Sequence, residues 1–177
     1  MTDFPPLNLF DTIVFDFDGI FTDNRVLVDE NGKESVLCDR ADGLGLDIIR
    51  KYIAHNNLKI DLFVLSTESN PVVTVRAKKL KIDARQAIKN KSQYLAQYLH
   101  DHNKTYDKLI YLGNDLNDLE AIKACGFSVC PIDSHFLVKS HADLVLPYRG
   151  GRGFVRAFIE GMIRLDHMSS SELSLYL

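Results

Sequence analysis

The chain has 177 residues, 46% hydrophobic and 25% charged, which suits one soluble domain, numbered 1–177, with a real core. A net charge of -3 without any Lys/Arg-rich run argues against a nucleic-acid partner, and no apolar run approaches the ~18 residues of a membrane span. The three cysteines, Cys38, Cys125 and Cys130, form no CxxC pair. An odd count behind an N-terminus (1–6) without a basic region or long apolar stretch predicts no signal peptide and a reducing, cytoplasmic setting.

In chain order, the apolar run at 12–17 predicts a buried parallel strand that ends in Asp16 and Asp18, followed by Gly19. Two β-prone runs around Asp29-Glu30-Asn31-Gly32 predict a hairpin over 25–38, inserted in the crossover to the first helix. It is placed to cover a site or meet another subunit, unless it is only a surface loop. Asp42-Gly43-Leu44-Gly45 then leads into a helix over 46–53, with Leu46, Ile49 and Ile53 on one face. A second strand over 59–65 ends in Ser66-Thr67-Glu68-Ser69-Asn70-Pro71. The next helix carries Val72, Val75, Ala77 and Leu80 as its apolar face and Arg76, Lys78 and Lys79 as its cations. A brief strand is expected at 83–86. A helix over 91–99 opens with Lys91, which opposes the helix dipole unless an anion lies nearby. The strand at 109–112 runs into Gly113-Asn114-Asp115-Leu116-Asn117-Asp118, and a helix reaches Cys125. Strands at 127–131 and 144–146 flank a short helix at 134–140. Gly150-Gly151-Arg152-Gly153 opens a last helix over 154–165, and 166–177 has no clear assignment.

The recurrence of strand, polar loop and helix predicts an α/β fold, a Rossmann-like parallel sheet with helices on both faces. Ligands of such sheets collect at the carboxyl ends of the strands. Asp16 and Asp18, Ser66, Lys91 and the 113–118 loop all fall at that rim. An ordinary polar turn would account for Asp18-Gly19, a cap for Ser66 and a solvated side chain for Lys91, each taken alone. Taken together, they fit phosphoryl transfer. A hard cation such as Mg2+ takes oxygen ligands, and Asp16 with an oxygen of the later loop supplies them. Asp16 is placed to attack phosphorus, Asp18 to serve as acid and base, Ser66 to donate to a phosphoryl oxygen and Lys91 to add a cation.

These motifs resemble the haloacid dehalogenase superfamily of aspartate-nucleophile phosphatases. Asp16-Phe17-Asp18-Gly19-Ile20-Phe21-Thr22 resembles its first motif, Ser66 its second, Lys91 its third and the 113–118 loop its fourth, over a core of about 11–165. More narrowly, the hairpin, Asp42-Gly43-Leu44-Gly45 and Gly150-Gly151-Arg152-Gly153 resemble the octulosonate 8-phosphate phosphatases. They also resemble that group's nine-carbon relatives, including the phosphatase-like domains joined to acylneuraminate cytidylyltransferases. The resemblance implies a cap-less fold and a Mg2+-dependent phosphatase acting on a phosphorylated 2-keto-3-deoxy sugar acid. It also implies a homotetramer in which Arg152 reaches a neighbour's substrate. Asp16, the Asp18 carbonyl and Asn114 would hold the metal, with Asp115 as an alternative ligand and Asp118 in support. Thr22, Asp42, Gly43, Thr67, Glu68, Arg76 and Lys79 would line the substrate. The family usually has Asp where this chain has Asn114, which should weaken metal binding. Glu68, where octulosonate types carry Gly-Arg, resembles the nine-carbon branch, as does Lys79; together they would pair to orient the substrate. Two other readings are an assembly module beside a cytidylyltransferase, with weak catalysis, and a receiver-type phosphoacceptor domain, which needs neither Asp18 nor the hairpin.

Overall fold

The computed structural model describes residues 4–177; Met1, Thr2 and Asp3, part of the stretch read for a signal peptide, lie outside the described residues. The elements run β1 (Thr12–Phe15), β2 (Leu27–Val28), β3 (Glu34–Ser35), α1 (Arg40–His55), β4 (Asp61–Leu65), α2 (Val72–Leu80), β5 (Asp83–Arg85), α3 (Lys91–Asp101) and β6 (Leu109–Leu112). They continue as α4 (Leu119–Ala124), β7 (Phe127–Pro131), α5 (Phe136–His141), β8 (Leu144–Leu146), α6 (Phe154–Met162) and α7 (Ser170–Leu173).

All of β1 is buried. Side chains alternate across a strand, so Ile13 and Phe15 join one core with α1, α2 and α6, and Val14 joins the other with α3, α4 and α5. A strand with no wet face reads as a continuous apolar run. Six strands in the order β5-β4-β1-β6-β7-β8 pair in parallel throughout. From β1 the chain steps outward to β4 and β5, then returns to β6 on the other side. That reversal beside β1 is the switch point, where a crevice opens outside the carboxyl ends of β1, β4 and β6. No helix among the described residues is long and apolar enough to cross a membrane.

Local boundaries differ from the sequence reading. β1 stops at Phe15, because Ile20 N and Phe21 N both turn back to Phe17 O, at 3.3 and 2.9 Å. The hairpin forms, but only Leu27–Ser35 and Val28–Glu34 pair, and a single bridge between Thr22 and Cys38 closes its base. Its turn is held by Asp29 Oδ1, which accepts from Asn31 N and Lys33 N, both at 2.9 Å. On α2, Val73, Ala77 and Leu80 are buried, whereas Val75, expected on the apolar face, is 67% exposed. The tail, unassigned from sequence, folds back on α1: Tyr176 is buried beside Tyr52 and His55, with ring centroids at 5.3 and 5.7 Å.

α1 begins at Arg40, capped by Asp39, whose side chain accepts from Ala41 N at 2.8 Å. Asp42-Gly43-Leu44-Gly45 is therefore helical rather than a lead-in loop. Gly45 is needed for packing, since a Cβ there would lie 3.1 Å from Arg156 Cα of α6. Asp42 is fully buried, and its Oδ1 accepts the Arg156 N–H at 3.0 Å. Gly153, at the N-cap of α6, offers no side chain, so a carboxylate from α1 supplies the cap.

Burial pushes the Asp42 carboxyl up to about 6, with Asp39 adding to the rise and the α6 N–H groups and Arg76 opposing it. The folded state thus holds this proton more tightly than the unfolded chain. Its contribution is present at low pH and is lost as pH rises through about 6. Asp42→Asn cannot ionise and keeps an acceptor for Arg156 N. Its melting temperature should gain on the parent protein between about pH 4.5 and 7.5; Asp42→Ala, which cannot ionise either, should gain in parallel but stay about 1 kcal/mol below Asp42→Asn at both ends. A difference between Asn variant and parent that stays flat across this range would rule out the ionisation penalty.

Candidate active site

β1 delivers Asp16 to the crevice as a buried carboxylate. Its Oδ1 meets Lys91 Nζ at 2.6 Å, and the same ammonium lies 2.7 Å from Asp118 Oδ1. Asn90 caps α3 by accepting from Gln93 N at 2.9 Å, which sets Lys91 in the first turn. The cation that opposes the helix dipole has its anions after all, in two carboxylates brought from β1 and from the loop after β6. Asp118 Oδ1 also accepts from Tyr111 OH at 2.7 Å, while Oδ2 accepts from Asn114 N at 2.9 Å and Asp115 N at 3.3 Å. Asp118, expected in support of a metal, has both oxygens committed to holding Lys91 and the loop that carries Asn114. The sequence pattern places Tyr111 only within an apolar strand. Its signal was available, because a buried phenol normally needs a partner.

Two carboxylates share one ammonium, so this buried trio carries a surplus negative charge. Burial raises the Asp16 pKa well above its usual range, Asp118 raises it further, and Lys91 opposes both. Burial alone would lower the Lys91 pKa, but Asp16 and Asp118 outweigh that and hold it above the ordinary lysine value. Asp18 is half-buried, and burial and then Glu68 raise its pKa against the pull of Lys91 and the Thr22 hydroxyl. Thr22 Oγ1 accepts from Gly19 N and Asn24 N, both at 3.2 Å, so Thr22 holds the loop that carries Asp18. It is buried and lies behind the cleft wall rather than in it.

Oxygen ligands converge on the other side of Asp16. The Asn114 amide lies against Asp18 O and Asp16 Oδ2, with contacts of 2.7 and 3.2 Å. Gly19 (φ +75°) permits this approach, since a Cβ there would sit 2.0 Å from Asn114 Nδ2. Among the described residues no three His, Cys, Asp or Glu side chains cluster as for a metal. The set here is one carboxylate, one main-chain carbonyl and one amide, all hard oxygen donors suited to Mg2+. Asp115 Oδ1 accepts from Leu116 N at 2.7 Å and is tied to the following turn.

A cleft of about 510 Å³ stands over these groups, walled by Asp16, Asp18, Asn114, Asp115, Thr67 and Glu68. Asn24 and Val26, at the base of the hairpin, close another side, and sequence reading did not single them out. Ser66 is buried at the end of β4, where its Oγ accepts from Glu68 N at 3.0 Å and keeps its own proton to donate. Glu68 Oε1 caps its own loop, accepting from Ser69 N at 2.6 Å and Asn70 N at 2.8 Å.

Other expected substrate residues lie elsewhere. Lys79 is exposed on α2, and among the described residues it forms no ion pair with Glu68. Arg76 Nη2 donates to Asp39 O at 2.8 Å and ties α2 to the start of α1. Asp42 caps α6, and Gly43 packs on Leu80. Arg152 is exposed, with Nη2 3.5 Å from Asp23 at the hairpin base. Gly150 and Gly151 before it are packing residues, since a Cβ on them would lie 1.9 Å from Gly19 O and 2.4 Å from Thr22 C.

The sequence matches the haloacid dehalogenase-like hydrolase family over residues 23–158. It is 28% identical over 159 residues to the 3-deoxy-D-manno-octulosonate 8-phosphate phosphatase of Haemophilus influenzae, covering 89% of this chain and 85% of that one. It is 23% identical over 159 residues to an N-acylneuraminate cytidylyltransferase of Oncorhynchus mykiss, covering 88% of this chain but only 35% of that one. A HAD family hydrolase structure from Streptomyces avermitilis MA-4680 superposes with a TM-score of 0.85 at 35% identity, covering 97% of this chain and 96% of that one. With most of its length matched, a switch-point crevice at β1 and paired acids in that crevice, the chain belongs to the haloacid dehalogenase-like hydrolases.

Proposed function

We propose that the chain is a Mg2+-dependent phosphomonoesterase that forms an aspartyl-phosphate on Asp16 and acts on a phosphorylated 2-keto-3-deoxy sugar acid. The carrying observation is the meeting of Asp16, Lys91 and Asn114 at one strand-end crevice, with Asp18 beside them. Asp16 attacks phosphorus through Oδ1, and the bond from phosphorus to the sugar oxygen breaks. Asp18 gives its proton to the departing oxygen; its raised pKa suits an acid poised to donate. Asp18 then takes a proton from the water that attacks the aspartyl-phosphate, and the bond from phosphorus to Asp16 breaks. Ser66 Oγ–H and Lys91 Nζ donate to the phosphoryl oxygens as charge builds on them. Asp16 Oδ2, the Asp18 carbonyl and the Asn114 amide oxygen would hold Mg2+, which when bound offsets the repulsion between the acids and the phosphoryl group.

Support for the substrate class comes from the octulosonate 8-phosphate phosphatase of Haemophilus influenzae. A preference for a nine-carbon substrate rests on Glu68 in the cleft wall alone, since Lys79 faces solvent. Val26, Leu27, Val28 and Leu37 are apolar and exposed on the hairpin, which supports an assembly of copies that covers them, four being the number the family resemblance implies. Three free cysteines support a cytoplasmic setting. The likeness to part of a cytidylyltransferase favours a second reading, an assembly module for such an enzyme.

Release of inorganic phosphate from nonulosonate 9-phosphate and octulosonate 8-phosphate tests the reading. Mg2+-dependent release is expected from both, on the order of 1–10³ per second and faster from the nine-carbon acid. Release that persists in EDTA would sink the metal assignment. Silence on both substrates, with a cytidylyltransferase co-purifying, would favour the second reading.

A further inference from the structure

Asn114 does more at this site than an aspartate could. Its main chain is fixed from both sides: N donates to Asp118 Oδ2 at 2.9 Å, and O accepts from His135 N at 2.9 Å. The side chain is buried and backed by Gly19, so reversal of the amide plane is its main remaining freedom. As the side chain stands, Oδ1 faces Asp18 O at 2.7 Å and Asp16 Oδ2 at 3.2 Å; with the amide reversed, Nδ2 would donate to both and satisfy them. In the unreversed orientation no proton lies between these three oxygens. Three buried oxygens turned on one another are unfavourable unless a cation lies among them.

We propose that Asn114 is an amide latch on the cation site. Without a cation, Nδ2 bridges Asp16 and Asp18 and closes the site; with a divalent cation bound, the amide is reversed and Oδ1 faces the ion. The proposal rests on the cation site described under Proposed function. An aspartate at 114 is a stronger ligand, but when ionised it has no donor with which to close the empty site. The asparagine therefore exchanges cation affinity for order in the cation-free state, because each binding event must displace two hydrogen bonds.

The test uses EDTA-stripped full-length protein and Mg2+ as the probe. In calorimetric titration, Asn114→Asp should bind Mg2+ about tenfold more tightly than the parent, since ligand charge helps set affinity. In the cation-free state both Asn114→Asp and Asn114→Ala should melt about 5 °C lower, and Asn114→Ala should gain no affinity. In parent protein carrying 15N-asparagine, the Asn114 side-chain resonances, identified by their loss in Asn114→Ala, should move with the calorimetric midpoint. Resonances unmoved at saturating Mg2+, or cation-free variants as stable as the parent, would overturn the latch alone. Absence of Mg2+ binding by both parent and Asn114→Asp would overturn the cation site beneath it.

Discussion

Asp16→Asn should abolish phosphate release, lowering kcat by about 10⁴-fold or more, while leaving the chain at least as stable as the parent. The two halves of this result have one cause. Asp16 is a desolvated carboxylate whose pKa is raised by burial and by Asp118, so its ionised form is held in the fold at a cost. A neutral amide of the same shape removes that cost and leaves Lys91 to pair with Asp118 at 2.7 Å. The amide has no anionic oxygen with which to attack phosphorus. Activity lost together with stability kept or gained is the pattern of a group retained for chemistry rather than for folding. Phosphate-release kinetics and urea denaturation of the same preparation measure both halves. Turnover near that of the parent protein would remove Asp16 as nucleophile.

The parts of this architecture visible in the sequence are those where one physical constraint acts alone. Burial on both faces leaves β1 no polar position, so its apolar run and its terminal acids stand out. Lys91 was legible because it is wrong for an isolated helix start, and the structure supplies the two anions that correct it. What failed to show depends on direction or on distant partners. Each helical residue turns the side chain by about 100°, so a small error in phase puts Val75 on the buried face, whereas the pairing of Lys79 with Glu68 is implied by the resemblance alone, and Lys79 stands exposed on α2. α1 begins early because its glycines, poor helix formers alone, let α2 and α6 approach; tertiary packing overrode propensity there. Asp42 looked like a ligand for substrate and is a cap for a helix more than a hundred residues later, a partnership no local pattern encodes. Tyr111 was hidden for the opposite reason, since its strand position explained it too readily.

Lys91→Met should be the most destabilising single change in the site, costing about 3–5 kcal/mol near pH 8 and lowering kcat about 10²–10³-fold. Methionine fills similar space but leaves Asp16 and Asp118 buried with no cation between them. Lys91 lowers the Asp16 pKa in the parent protein, so its loss drives that pKa further up. A carboxyl with a raised folded-state pKa contributes stability below its unfolded value of about 3.9 and loses it as pH climbs through the folded value. The deficit of the variant should therefore grow from pH 5 to 8, a span chosen on that sign. Lys91 itself, with a raised pKa, stays charged across this window, so the slope reports the carboxylates alone. Adding Asp118→Asn removes one of the two stranded charges while its amide can still accept from Tyr111. The double variant should recover at least half of the lost stability and none of the lost activity, because the ammonium that faces the phosphoryl group is still missing. Denaturation in EDTA at both pH values, with phosphate release measured beside it, separates these effects. A deficit equal at pH 5 and 8, or a double variant no more stable than Lys91→Met, would mean that packing rather than charge makes Lys91 indispensable.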